Sequence, residues 1–277
     1  MIRRKSSIVV SYILLGIVLI VFLFPLYWAL NTALKPYRDF FLDPPLFWPV
    51  TFTLKNFIDG YVLGGGKAVV DSTIVAVGTT LLSLILGVTA AYSIARWKTG
   101  GSAMPYYILS MKMMPPVVIA VAYYIVLKRS FLVYPPFDTH ILLILLYSLI
   151  NTPFVVWIMK DFIAEIPVSM EEAALLAGVS RLRIFVDIIL PLARPGLIAT
   201  AIISFMYSWH EFIFTIFFTS MKVRTIPKLV PYLVTEKEPL WGAINAVGFY
   251  GIIPMLIIGF VLQKHLIKGL SYGALKG

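Results

Sequence analysis

Long apolar runs that carry almost no charge dominate this sequence. The first extends over residues 8–30 without a single acidic or basic side chain. A helix of this length, rising about 1.5 Å per residue, crosses a hydrocarbon core about 30 Å thick. Because 60% of the 277 residues are hydrophobic and only 13% are charged, the composition excludes an ordinary water-soluble globule. The sequence therefore predicts a membrane protein.

Six runs of this kind predict an all-α, polytopic protein with six transmembrane helices. The predicted spans cover about residues 8–30, 69–95, 104–127, 140–159, 197–219 and 241–262. The third contains Pro115 and Pro116, which remove two backbone donors and should bend or unwind the helix. Such breaks are tolerated in a membrane where they line a cavity, so we expect this one to border a polar pathway.

Basic residues favour a cytoplasmic N-terminus. Arg3, Arg4 and Lys5 precede the first span, although the other Lys and Arg residues are nearly balanced between the two sides. We expect the first span to be a retained anchor, because its apolar run is longer than that of a signal peptide. With six spans, both termini and the loop between the fourth and fifth spans are predicted to be cytoplasmic.

Several kinds of chemistry have no residues to support them. The chain has no Cys and only three His, and it lacks clustered metal ligands. The segment Gly64–Lys67 continues into Ala68 instead of the Ser or Thr of a phosphate-binding loop. The net charge of +10 is scattered among loops rather than gathered into a nucleic-acid-binding patch. We predict no metal site, no cofactor in this chain, no nucleic-acid partner and no enzymatic activity.

The polar loop at residues 165–196 is predicted to form two short helices. Ser169 and Glu172 have the spacing of a capping box, which predicts a helix from about Met170. Gly178 can close that helix in the left-handed conformation, and Ser180 can cap a second helix that ends at Pro191.

The first of these helices has a face with little side-chain bulk. Ala173 and Ala177 lie four residues apart, as do Met170 and Ala174, so each pair shares a face. Glu171 lies beside Glu172 near the positive end of the helix. We expect this face to enter a groove on a partner.

These residues resemble a known motif. Glu172-Ala173-Ala174, Gly178, Ile188 and Leu190-Pro191 are similar to the EAA loop of the membrane subunits of ABC importers. Ala177 departs from the pattern, because the family usually has Asp before the glycine.

Three further stretches resemble the carbohydrate-type permeases of the maltose-transporter class. Residues 112–116, Lys-Met-Met-Pro-Pro, match one landmark, and residues 209–212, Trp-His-Glu-Phe, match a second in which His210 replaces the usual Asn. The tail, residues 269–277, matches the third. The resemblance covers nearly the whole chain and identifies it with the shorter, six-span partner of a permease pair.

The resemblance implies the type I permease (MetI-like) fold over a single domain, residues 1–277, with the coupling loop at residues 165–196. It implies a subunit of the prokaryotic inner membrane that imports a sugar, polyol or related polar solute. Its implied partners are a second permease, two ATP-binding cassette subunits that hold ATP and Mg, and an extracytoplasmic solute-binding protein. The implied coupling residues are Glu171, Glu172, Ala173, Ala174, Gly178, Ile188, Leu190 and Pro191, and the implied tail contacts are Gly273, Lys276 and Gly277.

The candidate pathway residues are Lys112, Pro115, Pro116, His210 and Glu211. An ion-coupled secondary transporter or channel is the alternative, but Lys112, His210 and Glu211 are few ionisable residues for an ion path. An intramembrane enzyme would need an acid pair, a metal cluster or a nucleophile with a base, and none is visible. The sequence does not identify the solute.

Overall fold

The computed structural model describes residues 2–129, 137–234 and 239–274, with side chains for 8–129, 137–234 and 239–261. Within these ranges the regular secondary structure is helical, apart from an isolated bridge between Val234 and Pro239. The α-helices are α1 (Ile2–Ala33), α2 (Lys55–Gly60), α3 (Gly66–Trp97), α4 (Met104–Lys112), α5 (Pro116–Arg129), α6 (His140–Ala164), α7 (Val168–Leu176), α8 (Arg181–Ile184), α9 (Leu190–Leu192), α10 (Arg194–Trp209), α11 (Ile213–Phe218), α12 (Ile226–Tyr232) and α13 (Trp241–Ala274). One 3₁₀ turn, Tyr37–Asp39, and two π-helical turns, Tyr61–Gly65 and Phe185–Ile189, complete the described elements.

Four helical segments of the described chain are long and apolar enough to cross a membrane: Ile8–Ala33, Lys55–Trp97, His140–Ala164 and Trp241–Val261. Two pairs of consecutive helices are bent at a short break, and the number of candidate spans is six if each pair counts as one span. The first, α4 and α5, turns through 87° at residues 113–115, and the second, Arg181–Leu192 and α10, turns through 78°. The predicted break at Pro115 and Pro116 is therefore present, with α4 ending at Lys112 and α5 beginning at Pro116.

The fifth predicted span, residues 197–219, is not one continuous helix. α10 ends at Trp209 and α11 begins at Ile213. The carboxylate of Glu211 accepts hydrogen bonds from the backbone N–H of Phe214, 3.1 Å from each oxygen. A side chain that binds the free N–H groups of a first turn favours a new helix start over continuation of the old helix.

The chain forms two compact units. The first comprises Met1–Lys67 and Leu229–Ile252. In it, the segment that follows α1 folds back on the helix end, because Asn31 Nδ2 donates to Leu46 O at 3.1 Å. Asn56 Nδ2 donates to the carbonyls of Ala33 and Lys35 at 2.9 and 2.7 Å. Asn56 thus satisfies the carbonyl of Ala33, which the end of α1 leaves without a helical partner.

The second unit comprises Ala68–Lys228 and Ile253–Gly277 and contains two buried clusters. One joins α3, α6 and the predicted coupling loop, and its fully buried members include Ala91, Val155, Met159 and Ile189. The other joins α3, α5, α6 and α11. Lipid is as apolar as these side chains, so helix association in a membrane depends on close packing rather than on a hydrophobic driving force. Gly87 illustrates this on α3, since a Cβ there would lie 2.5 Å from a methyl group of Val155.

Candidate functional site

The predicted coupling loop starts at α7, which begins earlier than the sequence indicated. Pro167 occupies the N-cap position without a side-chain hydrogen bond, and the helix runs over Val168–Leu176. The predicted capping box of Ser169 and Glu172 is therefore wrong, because Ser169 already lies inside the first turn. Proline suits the start of a helix, because its φ is fixed and it has no backbone N–H that would be left without a partner.

The turn between the two loop helices has the predicted geometry. Gly178 has φ +82°, the left-handed region that only glycine enters at no steric cost. Gly178 N donates to Leu175 O at 2.9 Å, and Val179 N donates to Ala174 O at 3.0 Å. These two bonds form a Schellman motif, which satisfies the last carbonyls of α7.

The second half of the loop is also close to its prediction. Ser180 Oγ accepts from Arg183 N at 3.5 Å, so Ser180 is the N-cap of α8. Helical structure then continues through the π-helical turn and α9 to Leu192, one residue beyond the predicted end at Pro191. The loop thus consists of two helical segments that meet at Gly178.

The structure assigns opposite environments to the two adjacent glutamates. Glu171 is buried; its Oε2 accepts from the Tyr92 hydroxyl at 2.6 Å, and its Oε1 accepts from Arg96 Nε. Arg96 Nη2 also donates to Ile166 O at 2.9 Å. Glu172 is exposed. Neighbouring residues do not predict this difference, because Arg96 lies 75 residues before Glu171.

The remaining coupling residues divide between the core and the surface. Ala174, Ile188 and Leu190 pack against the buried cluster that joins the loop to α3 and α6. Ala173, Ala177 and Pro191 are exposed, in company with large apolar side chains. The most exposed of these are Leu176 at 91% and Leu182 at 73%, followed by Val168 and Leu192. An apolar face on a polar loop is typical of a protein-binding surface.

A polar cluster lies where α4, α6 and α10 pack together. Lys112, the last residue of α4, places its Nζ 3.5 Å from Asn151 Oδ1 and 4.4 Å from the ring centroid of Tyr207. Asn151, buried on α6, donates to Ser208 Oγ at 2.9 Å. An ammonium group near the middle of a bilayer needs such partners, because an isolated charge there costs about 2.5–3.5 kcal/mol on insertion scales.

Glu211 lies close enough to Lys112 for the two charges to attract each other. Its carboxylate accepts from Phe214 N, and Tyr147, buried on α6, lies beside it. The Tyr147 hydroxyl is also hydrogen-bonded to Thr215 Oγ1. The two charges that the sequence singled out are therefore brought into one electrostatic site, whereas His210, Pro115 and Pro116 are exposed. Asn151, Tyr147 and Ser208 were missed, since single polar residues in apolar runs carry no local signal of a shared site.

Buried hydroxyl groups continue the polar character along α3 and α10. Among the described side chains, Thr79 and Ser83 on α3 and Thr200 and Ser204 on α10 are fully buried with no partner for their hydroxyl oxygens. Ser148 on α6 donates to Thr79 O at 3.4 Å. The interior of this unit therefore holds unused hydrogen-bonding capacity, which is rare in packed proteins.

A second polar site precedes α6, at the end remote from the coupling loop. Asp138, with φ +62°, accepts from the backbone N–H groups of Met221, Lys222 and Val223 at 2.8–2.9 Å. Burial alone would raise the pKa of Asp138, but these hydrogen bonds and one from Ser220 outweigh it and hold the pKa at about 2. Asp71 similarly accepts from Arg224 N at 2.9 Å and contacts His140 Nε2 at 2.8 Å. These carboxylates fix the segment after α11, a role that their local sequence does not predict.

Some predicted sites receive no structural description. Lys276 and Gly277 lie outside the described residues, and Gly273 lies in the part of α13 whose side chains are not described. Within the described residues, no three His, Asp or Glu side chains are grouped so that they could hold a metal ion.

Apolar spans, two of them broken, surround charged and hydroxyl side chains, and a loop between spans exposes an apolar face. These features define a polytopic membrane transport subunit that works with a partner protein. Residues 83–272 match the family described as binding-protein-dependent transport system inner membrane component, and the chain belongs to that family. It is thus the permease subunit of an ABC importer, a transport component and not an enzyme. The family implies ATPase and binding-protein partners and location in the inner membrane.

Known permeases are similar in sequence over nearly the whole chain. The diacetylchitobiose uptake system permease protein DasC of Streptomyces coelicolor is 28% identical over 92% of this chain and 92% of that protein. The trehalose/maltose transport system permease protein MalG of Thermococcus litoralis is 27% identical over 99% of this chain and 98% of that protein. In the crystal structure of a bacterial ABC transporter involved in the import of the acidic polysaccharide alginate, one chain superimposes with a TM-score of 0.74. That chain is 18% identical, and the alignment covers 94% of this chain and 96% of that one. The predicted type I permease fold is confirmed.

Proposed function

We propose that this permease moves a sugar, polyol or similarly polar solute that an extracytoplasmic binding protein delivers. The relatives named above are permeases for diacetylchitobiose and for trehalose and maltose. The cluster around Lys112, Asn151 and Glu211 supports a hydroxyl-rich solute, because it offers donors and acceptors within one packed site. Weak, exchangeable hydrogen bonds of this kind let a polar solute pass without being trapped.

The partners of this proposal are a second permease, two ATP-binding cassette subunits and the solute-binding protein. ATP and Mg are held by the cassette subunits. The loop at residues 165–196 is cytoplasmic, as are both termini, and residues 1–277 act as one permease domain. The observation that carries the proposal is the loop itself, where Gly178 sets two helical segments at a fixed angle and Leu176 and Leu182 face outward.

The mechanism follows from how the loop is attached. Its first helix continues from α6 and its last residues lead into α10, so displacement of the loop moves both helices. Closure of the cassette subunits would draw the loops together and tilt the attached spans, a rigid-body change that alternates access. Lys112 on α4, Asn151 on α6 and Ser208 on α10 would then change their spacing, which exposes or closes the polar site.

The test uses the full complex in proteoliposomes, with the binding protein outside and radiolabelled trehalose, maltose or diacetylchitobiose as probes. We expect uptake that requires ATP inside the vesicles. Leu176→Glu and Leu182→Glu should release the cassette subunits during purification, because a desolvated carboxylate opposes burial of that face. The matched control is Val50→Glu, which adds the same charge at an apolar residue that is 79% exposed on the segment before α2.

Three results would count against the proposal or a part of it. Uptake driven by an ion gradient in the absence of ATP would show a secondary transporter instead. Retention of the cassette subunits by both loop variants would remove the docking role from this face. Uptake of none of the three probes, with ATP-dependent uptake of an amino acid or a metal ion, would overturn the substrate class alone.

A further inference from the structure

The end of α3 contacts both halves of the coupling loop, although the chain does not join it to the loop. α3 ends at Trp97 and leads into α4, whereas the loop is covalently joined to α6 and α10. Arg96 nevertheless binds Glu171 of α7, and the Tyr92 hydroxyl donates to the same carboxylate at 2.6 Å. The contacts cross 75 and 79 residues of sequence.

The second half of the loop contacts the same two turns of α3. The rings of Tyr92 and Phe185 lie 5.0 Å apart between centroids. The guanidinium carbon of Arg181 lies 5.4 Å from the ring centroid of Trp97. The end of α3 is therefore held on both sides of Gly178, by an ion pair on one side and by ring contacts on the other.

The ion pair between Arg96 and Glu171 resists separation. Only 6% of the Arg96 side chain and 9% of the Glu171 side chain are exposed, and both carboxylate oxygens have donors. Arg96 also donates to Ile166 O, so its planar guanidinium group is fixed at two points. Separating two buried charges leaves each one without a partner, which is far more costly than moving them together. A displaced α7 would therefore carry the end of α3 with it.

α3 leads from this contact towards the polar interior. It carries the buried hydroxyls of Thr79 and Ser83, and Thr79 O accepts from Ser148 on α6. A shift of α3 along or about its axis would change these positions relative to α6.

We infer that Arg96, Glu171 and Tyr92 form a transmission clamp, through which displacement of the coupling loop moves α3 in addition to α6 and α10. This inference rests on the proposed coupling role of the loop. Arg96 and Tyr92 are positioning residues, because they act on the pathway through α3 and touch no solute. Without the clamp, the loop would still bind the ATPase, but part of its motion would be lost before it reached the transport path.

The experiment measures solute molecules imported per ATP hydrolysed by the full complex in proteoliposomes, with maltose or whichever of the three probes the wild type takes up. The main variant, Arg96→Met with Glu171→Met, replaces the pair by apolar side chains of similar size, a change that buried ion pairs often tolerate without loss of folding. We expect this variant to retain its ATPase partners while the transport ratio falls by about tenfold, within the range of typical coupling effects. Asp161→Asn is the control, because it neutralises a carboxylate of an exposed ion pair with Lys160, and its ratio should not change.

A covalent tether provides the converse test. The natural chain has no Cys, so Arg96→Cys with Glu171→Cys introduces its only two thiols. A short bifunctional methanethiosulfonate reagent that joins them should restore the transport ratio, whereas a monofunctional reagent should not. A transport ratio lowered only by misfolding would not be restored by the tether.

A normal transport ratio in the assembled Met pair would overturn the clamp. If the Met pair does not assemble, Arg96→Gln with Glu171→Gln decides the question, since it removes both charges and keeps polar side chains of similar length, and a normal ratio there would equally overturn the inference. Failure of the wild-type complex to couple uptake to ATP would instead refute the proposed function itself.

Discussion

Replacement of Gly178 tests whether the angle between the two loop helices controls coupling. Gly178 has φ +82°, and a Cβ built on it would meet no atom within 4 Å. A substituted side chain would therefore be strained by the backbone conformation and not by collision. This separates the effect of φ from the effect of volume, which few glycine positions allow.

The expected cost follows from the left-handed conformation. The left-handed conformation destabilises a residue with a Cβ by about 1–2 kcal/mol. Replacing glycine also reduces the conformational entropy of the unfolded chain, which offsets about 0.4–1 kcal/mol of this cost. Gly178→Ala should thus cost about 1 kcal/mol net. Gly178→Val should cost more because of its branched Cβ, and Gly178→Asn should cost least because Asn visits this region readily. Since about 1.4 kcal/mol corresponds to a factor of ten in an equilibrium, Val should displace a large fraction of loops from the native turn.

Such a cost is small beside the stability of a whole domain, so the variants should insert and assemble. We expect solute-stimulated ATP hydrolysis and uptake to fall in the order Gly, Asn, Ala, Val at equal expression in membranes. Uptake by the Val variant equal to that of the wild type would refute the argument from φ. An Asn variant as impaired as Val would show instead that side-chain volume at a partner surface decides the outcome.

Four further predictions concern other parts of the chain. Glu172→Lys should reduce stimulated ATP hydrolysis at normal expression, because Glu172 is exposed on α7 and has no role in the core; an unchanged rate would leave it without a coupling role. Lys112→Met and Glu211→Gln should alter uptake kinetics in intact complexes, and normal kinetics or failed assembly would exclude a pathway role for them. Deletion of residues 272–277 should weaken coupling or assembly, as measured by uptake and by co-purification of the ATPase. The pKa of Asp138 in the folded protein is about 2, below its usual value near 3.9, so its stabilising effect is present above pH 4 and is lost as pH falls towards 2. The difference in melting temperature between wild type and Asp138→Asn should therefore shrink below about pH 4. A difference that stays constant with pH would contradict this.

Features that depend on neighbouring residues could be predicted from the sequence. Span length follows from apolar runs, because the bilayer thickness fixes how many residues a helix needs. The break at Pro115 and Pro116 follows from missing backbone donors, and the turn at Gly178 follows from a conformation that other residues resist. The predicted start of α7 was two residues too late, because Pro167 rather than Ser169 holds the N-cap position.

Features that depend on distant residues were decided by the tertiary structure. Glu171 and Glu172 are adjacent and chemically alike, and they differ because Arg96 and Tyr92 meet only one of them. The break before α11 likewise places Glu211, which binds the backbone N–H of Phe214, beside Tyr147 on α6.

The sequence by itself therefore determined that this chain crosses a membrane repeatedly, where its third span is broken and which loop resembles a coupling motif. Only the tertiary structure decided which polar side chains share a site. Partners such as Lys112 and Asn151, or Asp71 and the backbone of Arg224, are separated by 39 and 153 residues. The physical reason is that helical hydrogen bonds span four residues and can be inferred locally, whereas a buried side chain is satisfied by whichever helix packs against it.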